Sequence, residues 1–107
     1  MAEDIRDKVL KLAELVSYQE SSAVSRMIVK KDAGNVTLFA FSQGQGLSEH
    51  TAPFDAMTYI LDGEAEVSIA GRAHHLKAGE MLIMPANKPH SLKARKRFKM
   101  LLVMIKK

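Results

Sequence analysis

The sequence predicts an all-β domain, an antiparallel sandwich or barrel preceded by one short N-terminal α-helix. Three observations carry that expectation. The hydrophobic period changes once, from helical spacing near the start to strand-like alternation over the rest. About eight short apolar segments then follow, separated by Gly, Pro, Asn and Asp turn signals. The length of 107 residues suits a single domain with one core, and 47% apolar with 26% charged residues is ordinary globular composition.

The elements can be justified in order. Residues 1–17 read as a helical segment and residues 18–107 as the β-barrel domain. Ile5, Val9, Leu12 and Val16 share one helical stripe, and Asp4/Lys8 and Asp7/Lys11 supply favourable pairs four residues apart. "AVSRMIV" and "VTLFAFS" read as strands around the turn-rich "KKDAGN". "AMTYIL" and "EAEVSIA" flank Asp62-Gly63, which predicts a tight hairpin. Ala65, Val67 and Ile69 alternate with Glu64, Glu66 and Ser68, so that strand has one wet face. "AHHLK", "EMLIM", "HSLKA" and "FKMLLVMIK" follow. The last of these is apolar on both alternations, so burial on both faces is expected, which in so small a barrel points to a homodimer.

Composition narrows the chemistry. With no cysteine there is no disulfide framework, thiolate metal site or cysteine nucleophile. No apolar run approaches the ~18 residues that cross a bilayer, and the acidic start "MAEDIRDKV" is unlike a secretory signal. A cytoplasmic protein without a membrane partner is the simplest expectation. The net charge of +4 is concentrated late: Lys93, Arg95, Lys96, Arg97, Lys99, Lys106 and Lys107 lie beyond the last acidic residue, Glu80. Lys93, Arg95, Arg97 and Lys99 alternate like the outer face of a strand, and no nucleic-acid-binding motif accompanies them. A solvated hairpin is therefore expected there, and no nucleic-acid partner.

From Gly44 to Ala94 the chain resembles the cupin superfamily, whose first motif is G-x5-H-x-H-x3,4-E-x6-G. Gly44, His50 and Gly63 match it, while Ala52 takes the second histidine place and Ala56 (or Met57) the glutamate place. The second motif is G-x5-P-x-G-x2-H-x3-N. Gly79, Pro85 and His90 match, with Asn87 at the glycine and Ala94 at the asparagine place. Asn tolerates the left-handed backbone better than other non-glycine residues, so that departure is mild. The resemblance implies a double-stranded β-helix, or jelly-roll barrel, and it implies dimerisation, which is common among small cupins.

The resemblance also implies an interior site of three histidines and one glutamate, of which only His50 and His90 survive at the motif positions. Ala52 and Ala56 have no donor atom, so a tight site for a divalent ion such as Zn, Ni, Fe or Mn lacks ligands. Glu49 and Asp55 adjoin the motif positions, but strand alternation turns both away from the side of His50. His74 and His75 read as surface hairpin residues. Three functions follow. The first is a small-molecule-binding barrel, its pocket lined by His50, His90, Ala52, Ala56 and Lys88, with metal absent or weakly held. Two imidazoles that titrate near neutral pH suit a small carboxylate or hydroxylated ligand, and Lys88 at the pocket mouth would assist an anion. The second is a divalent-metal-dependent enzyme of dioxygenase or isomerase type, with ligands from outside the motif. The third is a scaffold or partner-binding protein. Met57, Met81, Met84, Met100 and Met104, in strand-like segments, are read as core filling.

Overall fold

The longest strand organises the rest. In the computed structural model, which describes residues 4–106, β4 (Phe54–Ile69) pairs with four other strands. The remaining strands are β1 (Ala23–Lys31), β2 (Gly34–Phe41), β3 (Gly46–His50), β5 (Arg72–Lys77), β6 (Met81–Met84), β7 (His90–Lys93) and β8 (Phe98–Lys106). The first half of β4 lies between β8 and β6, in a sheet completed by β2 and β1. Its second half lies between β5 and β7, with β3 beyond β7. All pairings are antiparallel, and the curled sheet is the jelly-roll barrel expected from the sequence.

The expected hairpin at Asp62-Gly63 is absent, because both flanking segments belong to the one continuous strand β4. Gly63 still has the positive φ (77°) that its sequence context suggests, but uses it within the strand. The register against β8 shifts between Ile60 and Asp62, a bulge. The extra residue resets the alternation: Ala56, Thr58 and Ile60 are buried before it, Ala65 and Val67 after it. β4 can thus leave one sheet for the other while keeping apolar side chains inward. A Cβ at Gly63 would lie 2.1 Å from the Arg97 carbonyl oxygen, so the close approach to β8 also requires glycine. The two-residue turn lies instead at Ala70-Gly71, both with positive φ, between β4 and β5.

Inside the barrel, Phe41, Phe98, Ile60, Val67, Leu92, Met84 and Met100 form one apolar cluster. Phe41 and Phe98 are adjacent in register and their rings are tilted with centroids 4.9 Å apart. A second, smaller cluster lies outside the barrel, where Val16 with Leu12 and Leu15 covers Leu38 and Ala40 of β2.

That cover is not the expected helix. Among the described residues of the 1–17 segment, only Leu12–Glu14 form a single 3-10 turn; residues 1–3 lie outside the described range. Helices this short are marginal, and two surface ion pairs add little to them. Here side chains from the sheet capture the segment's carbonyls: Arg26 donates to Leu15 O (3.2 Å) and Lys99 Nζ to Ala13 O (2.7 Å). Tyr18 then ties the segment to β4, donating to Asp62 Oδ2 at 2.6 Å. Burial, and then this hydrogen bond to Asp62, raise the Tyr18 pKa, so the phenol keeps its proton.

The basic run also differs from expectation. Arg95, Lys96 and Arg97 lie in the connection between β7 and β8, which belong to different ladders and form no hairpin. Arg95 donates to Glu66 at 2.6 Å, Lys96 approaches Glu64 at 4.0 Å, and Arg97 and Lys99 lie over the Tyr18 ring. Lys107 falls outside the described residues. No helix among the described residues is long and apolar enough to cross a membrane.

Candidate functional site

The two motif regions are brought together by strand pairing. Leu47 of β3 lies opposite Leu92 of β7, and His50 opposite His90. Flanking backbone bonds extend the match: Gly44 N–H donates to Ala94 O (2.8 Å) and Ala94 N–H to Gln45 O (2.8 Å). Between the two pairs β3 has one residue more than β7, a bulge that returns His50 to the side of Leu47 and His90. The imidazoles consequently meet edge to face, with centroids 4.4 Å apart.

A shared local geometry orients both rings. His50 Nδ1 lies 2.7 Å from the Ser48 carbonyl oxygen and His90 Nδ1 lies 3.1 Å from that of Lys88, in each case two residues back. A carbonyl oxygen only accepts, so both Nδ1 atoms carry the proton when the rings are neutral. Each Nε2 then presents a lone pair. Sequence reasoning missed these carbonyls, since Ser48-Glu49-His50 and Lys88-Pro89-His90 share no local pattern that marks them.

The rings differ in environment. His90 is buried, at 4% exposure, whereas His50 is exposed. Burial pushes the His90 pKa below its ordinary value; the Lys88 carbonyl opposes the shift and the neighbouring His50 adds to it. His90 is therefore neutral at pH 7 with its Nε2 free to accept.

The other sequence-expected positions separate. Lys88 is exposed, and it contributes its carbonyl to orient His90. Ala52 accepts a backbone bond from Asn87 N–H (2.8 Å), joining the two motif loops, and Asn87 has the left-handed φ (64°) of the glycine it replaces. Ala56 is in the other sheet, opposite Met84, and belongs to the barrel's apolar cluster. Asp55 accepts from Ala86 N–H at 2.9 Å on the outer side of that sheet. His75 is exposed and faces Glu64 at 3.4 Å, while His74 is half-buried opposite Val67.

A hollow of about 230 Å³ is lined by His90 with Glu49, Ser68, Gly71, Pro89 and Ser91; Ser68 and Ser91 alternate with the buried Val67 and Leu92, so it opens on the outer side of these strands, and His50 does not line it. A larger hollow, about 610 Å³, lies on the outer face near Asp55, Met57, Ile83 and Ile105. Neither hollow contains both histidines, so the candidate site rests on the imidazole pair itself. The donor set does not fit a tightly held metal. Only two imidazoles meet, two motif positions are alanine, and no three His, Asp, Glu or Cys side chains cluster among the described residues.

The sequence profile described as Cupin domain matches residues 37–106. Among solved structures, a conserved protein of unknown function from Streptococcus pyogenes is 36% identical, with a TM-score of 0.91 over 95% of this chain and 90% of that one. A cupin 2 conserved barrel domain protein from Leptotrichia buccalis is 41% identical, with a TM-score of 0.89; the match covers 91% of this chain but 47% of that protein. A cupin superfamily protein from Desulfitobacterium hafniense is 29% identical, with a TM-score of 0.90 over 95% and 94% of the two chains. No curated protein matches the chain.

Proposed function

The chain belongs to the cupin superfamily, and from that premise we propose that it is a small-molecule-binding barrel that engages its ligand through His50 and His90, with any divalent metal weakly held. The observation that carries this reading is the pair of converging rings, each anchored through Nδ1 and presenting Nε2. Neutral rings held this way are hydrogen-bond acceptors, so the ligand class they suit is a donor: a small polyol or another hydroxylated molecule. A carboxylate is accommodated only once a ring is protonated, which burial opposes at His90. Lys88, exposed beside the pair, supplies a cation for an acidic substituent.

Thermal melting against xylitol, citrate and Zn²⁺ tests the proposal. Xylitol is expected to raise the melting temperature at pH 7.5 in wild type, with the shift abolished in His90→Ala and reduced in His50→Ala. Citrate is expected to act only at acidic pH. Stoichiometric metal retained by the purified protein through chelation would overturn the metal-poor part of the reading and favour a metal-dependent enzyme.

A further inference from the structure

The basic residues of the connection between β7 and β8 are not equally engaged. Arg95 donates twice to Glu66, at 2.6 and 3.4 Å, and Lys99 donates to the Ala13 carbonyl. Arg97 differs. Its guanidinium carbon lies 4.5 Å from the centroid of the Tyr18 ring, and among the described residues no oxygen accepts from its N–H groups. The ring beneath it is fixed, because the Tyr18 hydroxyl donates to Asp62 Oδ2 at 2.6 Å. Stacking on a held ring sets the plane of the guanidinium, and the exposure of Arg97 turns its donor edge to solvent. A hollow of about 380 Å³ lies there, lined by Tyr18, Gln19, Glu20, Gln43, Lys96 and Arg97, with Ser42. Its walls are tied to one another. The Ser42 hydroxyl donates to the Gln19 carbonyl and accepts from Ser22 N–H (3.0 Å), and Ser42 N–H donates to Ser22 O (3.0 Å). The backbone bonds of Ala94 with Gly44 and Gln45, each 2.8 Å, hold the β7–β8 connection against the turn after β2.

We propose that this hollow binds a small phosphate ester that carries hydroxyl groups, its phosphate held by Arg97 and Lys96. A guanidinium edge takes two phosphate oxygens at once, and a fork already oriented by stacking loses little freedom in doing so. Lys96 supplies the second positive charge that a dianion calls for. Its contact with Glu64 is long, at 4.0 Å, and its side chain is 74% exposed, so turning it toward a ligand gives up little. The other lining groups suit hydroxyls. The Glu20 carboxylate accepts, and the Gln19 and Gln43 amides both donate and accept. Glu20 also repels further negative charge, which favours one phosphate on a neutral, hydroxylated body over the backbone of a nucleic acid. The Tyr18 ring, covered by Arg97 and approached by Lys99 at 5.1 Å, is no platform for a stacked base. The hollow shares no residue with the histidine pair.

The chain has two tyrosines and no tryptophan, so Tyr59→Phe leaves Tyr18 as the sole source of emission. Titration of that full-length variant with glycerol 3-phosphate is expected to change the emission saturably in the millimolar range or below, whereas glycerol leaves it unchanged. Calorimetric titration supplies the dissociation constants without relying on the ring. By that measure Arg97→Gln is expected to weaken binding at least ~10-fold, and Arg97→Lys nearly as much, because a point charge replaces the stacked fork. Lys96→Gln is expected to weaken it ~3-fold, as loss of an exposed charge does. Arg95→Gln, whose charge Glu66 already takes, is expected to leave it unchanged. The proposal is overturned if wild type gives no saturable response, or if Arg97→Lys binds as well as wild type, which would mark a diffuse basic surface. Inorganic phosphate or a single-stranded oligonucleotide binding more tightly than the ester would overturn it as well. None of these outcomes bears on the ligand-melting test, which reads His50 and His90.

Discussion

At the residue scale, His90 is the group whose protonation the fold resists. Its folded pKa is lowered by burial, and by His50, from an ordinary value of 6.5. The stability it contributes is fully present above the unfolded pKa and is lost as pH falls below 6.5 through the folded value. Wild type is therefore expected to lose more stability between pH 7 and pH 5 than His90→Leu, read as the shift in urea midpoint at each pH. An equal loss in both proteins would show that His90 is not the linked group. Gly63 makes a different prediction, from its left-handed φ and the 2.1 Å approach of a would-be Cβ to Arg97 O. Gly63→Ala is expected to destabilise by more than ~2 kcal/mol, because strain and overpacking act together. Gly71→Ala, whose Cβ would meet nothing within 4 Å, is expected to cost about half as much, from the backbone penalty alone.

At the element scale, the N-terminal segment divides into two parts. Val9 is fully exposed, at 104%, whereas Val16 is buried and packs with Leu12 and Leu15 on β2. Deleting the chain through Lys11 is expected to cost less than ~1 kcal/mol. Deletion through Tyr18 is expected to cost more than ~3 kcal/mol, since buried Val16, worth ~1.5–3 kcal/mol, is lost together with the half-buried Leu12, Leu15 and Tyr18. Denaturant unfolding of both truncations checks the difference; similar losses would contradict the division. The stripe of Ile5, Val9, Leu12 and Val16 was legible as amphipathic, but its conformation was not. Carbonyl capture by Arg26 and Lys99, which come from strands remote in sequence, competes with helix formation and cannot be seen in the local pattern.

At the scale of the whole molecule, β8 belongs to two environments, the barrel interior and the outer face of the sheet. Its inner side chains Phe98, Met100 and Leu102 are buried in the barrel, while outside it Leu101 is covered by the N-terminal segment and Val103 and Ile105 are not. The apolar double alternation of "FKMLLVMIK" thus records two different environments on one strand. If the homodimer expected from the sequence covers this outer face, the melting temperature of wild type rises with protein concentration and that of Ile105→Glu does not. A wild-type melting temperature independent of concentration would remove this support.

Alternation, turn chemistry and the glycine and histidine spacing were enough to determine from sequence an antiparallel jelly roll and the nomination of His50 and His90. These are properties of period and local backbone geometry, written along the chain. Tertiary structure alone decided that Asp62-Gly63 makes a bulge, because each half of β4 has better partners than the other half. It decided too which nitrogen each imidazole exposes, since that depends on carbonyls placed by the pairing of β3 with β7. The outer row of Val29, Val36, Val103, Met57 and Ile83 across β1, β2, β8, β4 and β6 was likewise invisible in sequence, because register between distant segments is set by the whole packed sheet.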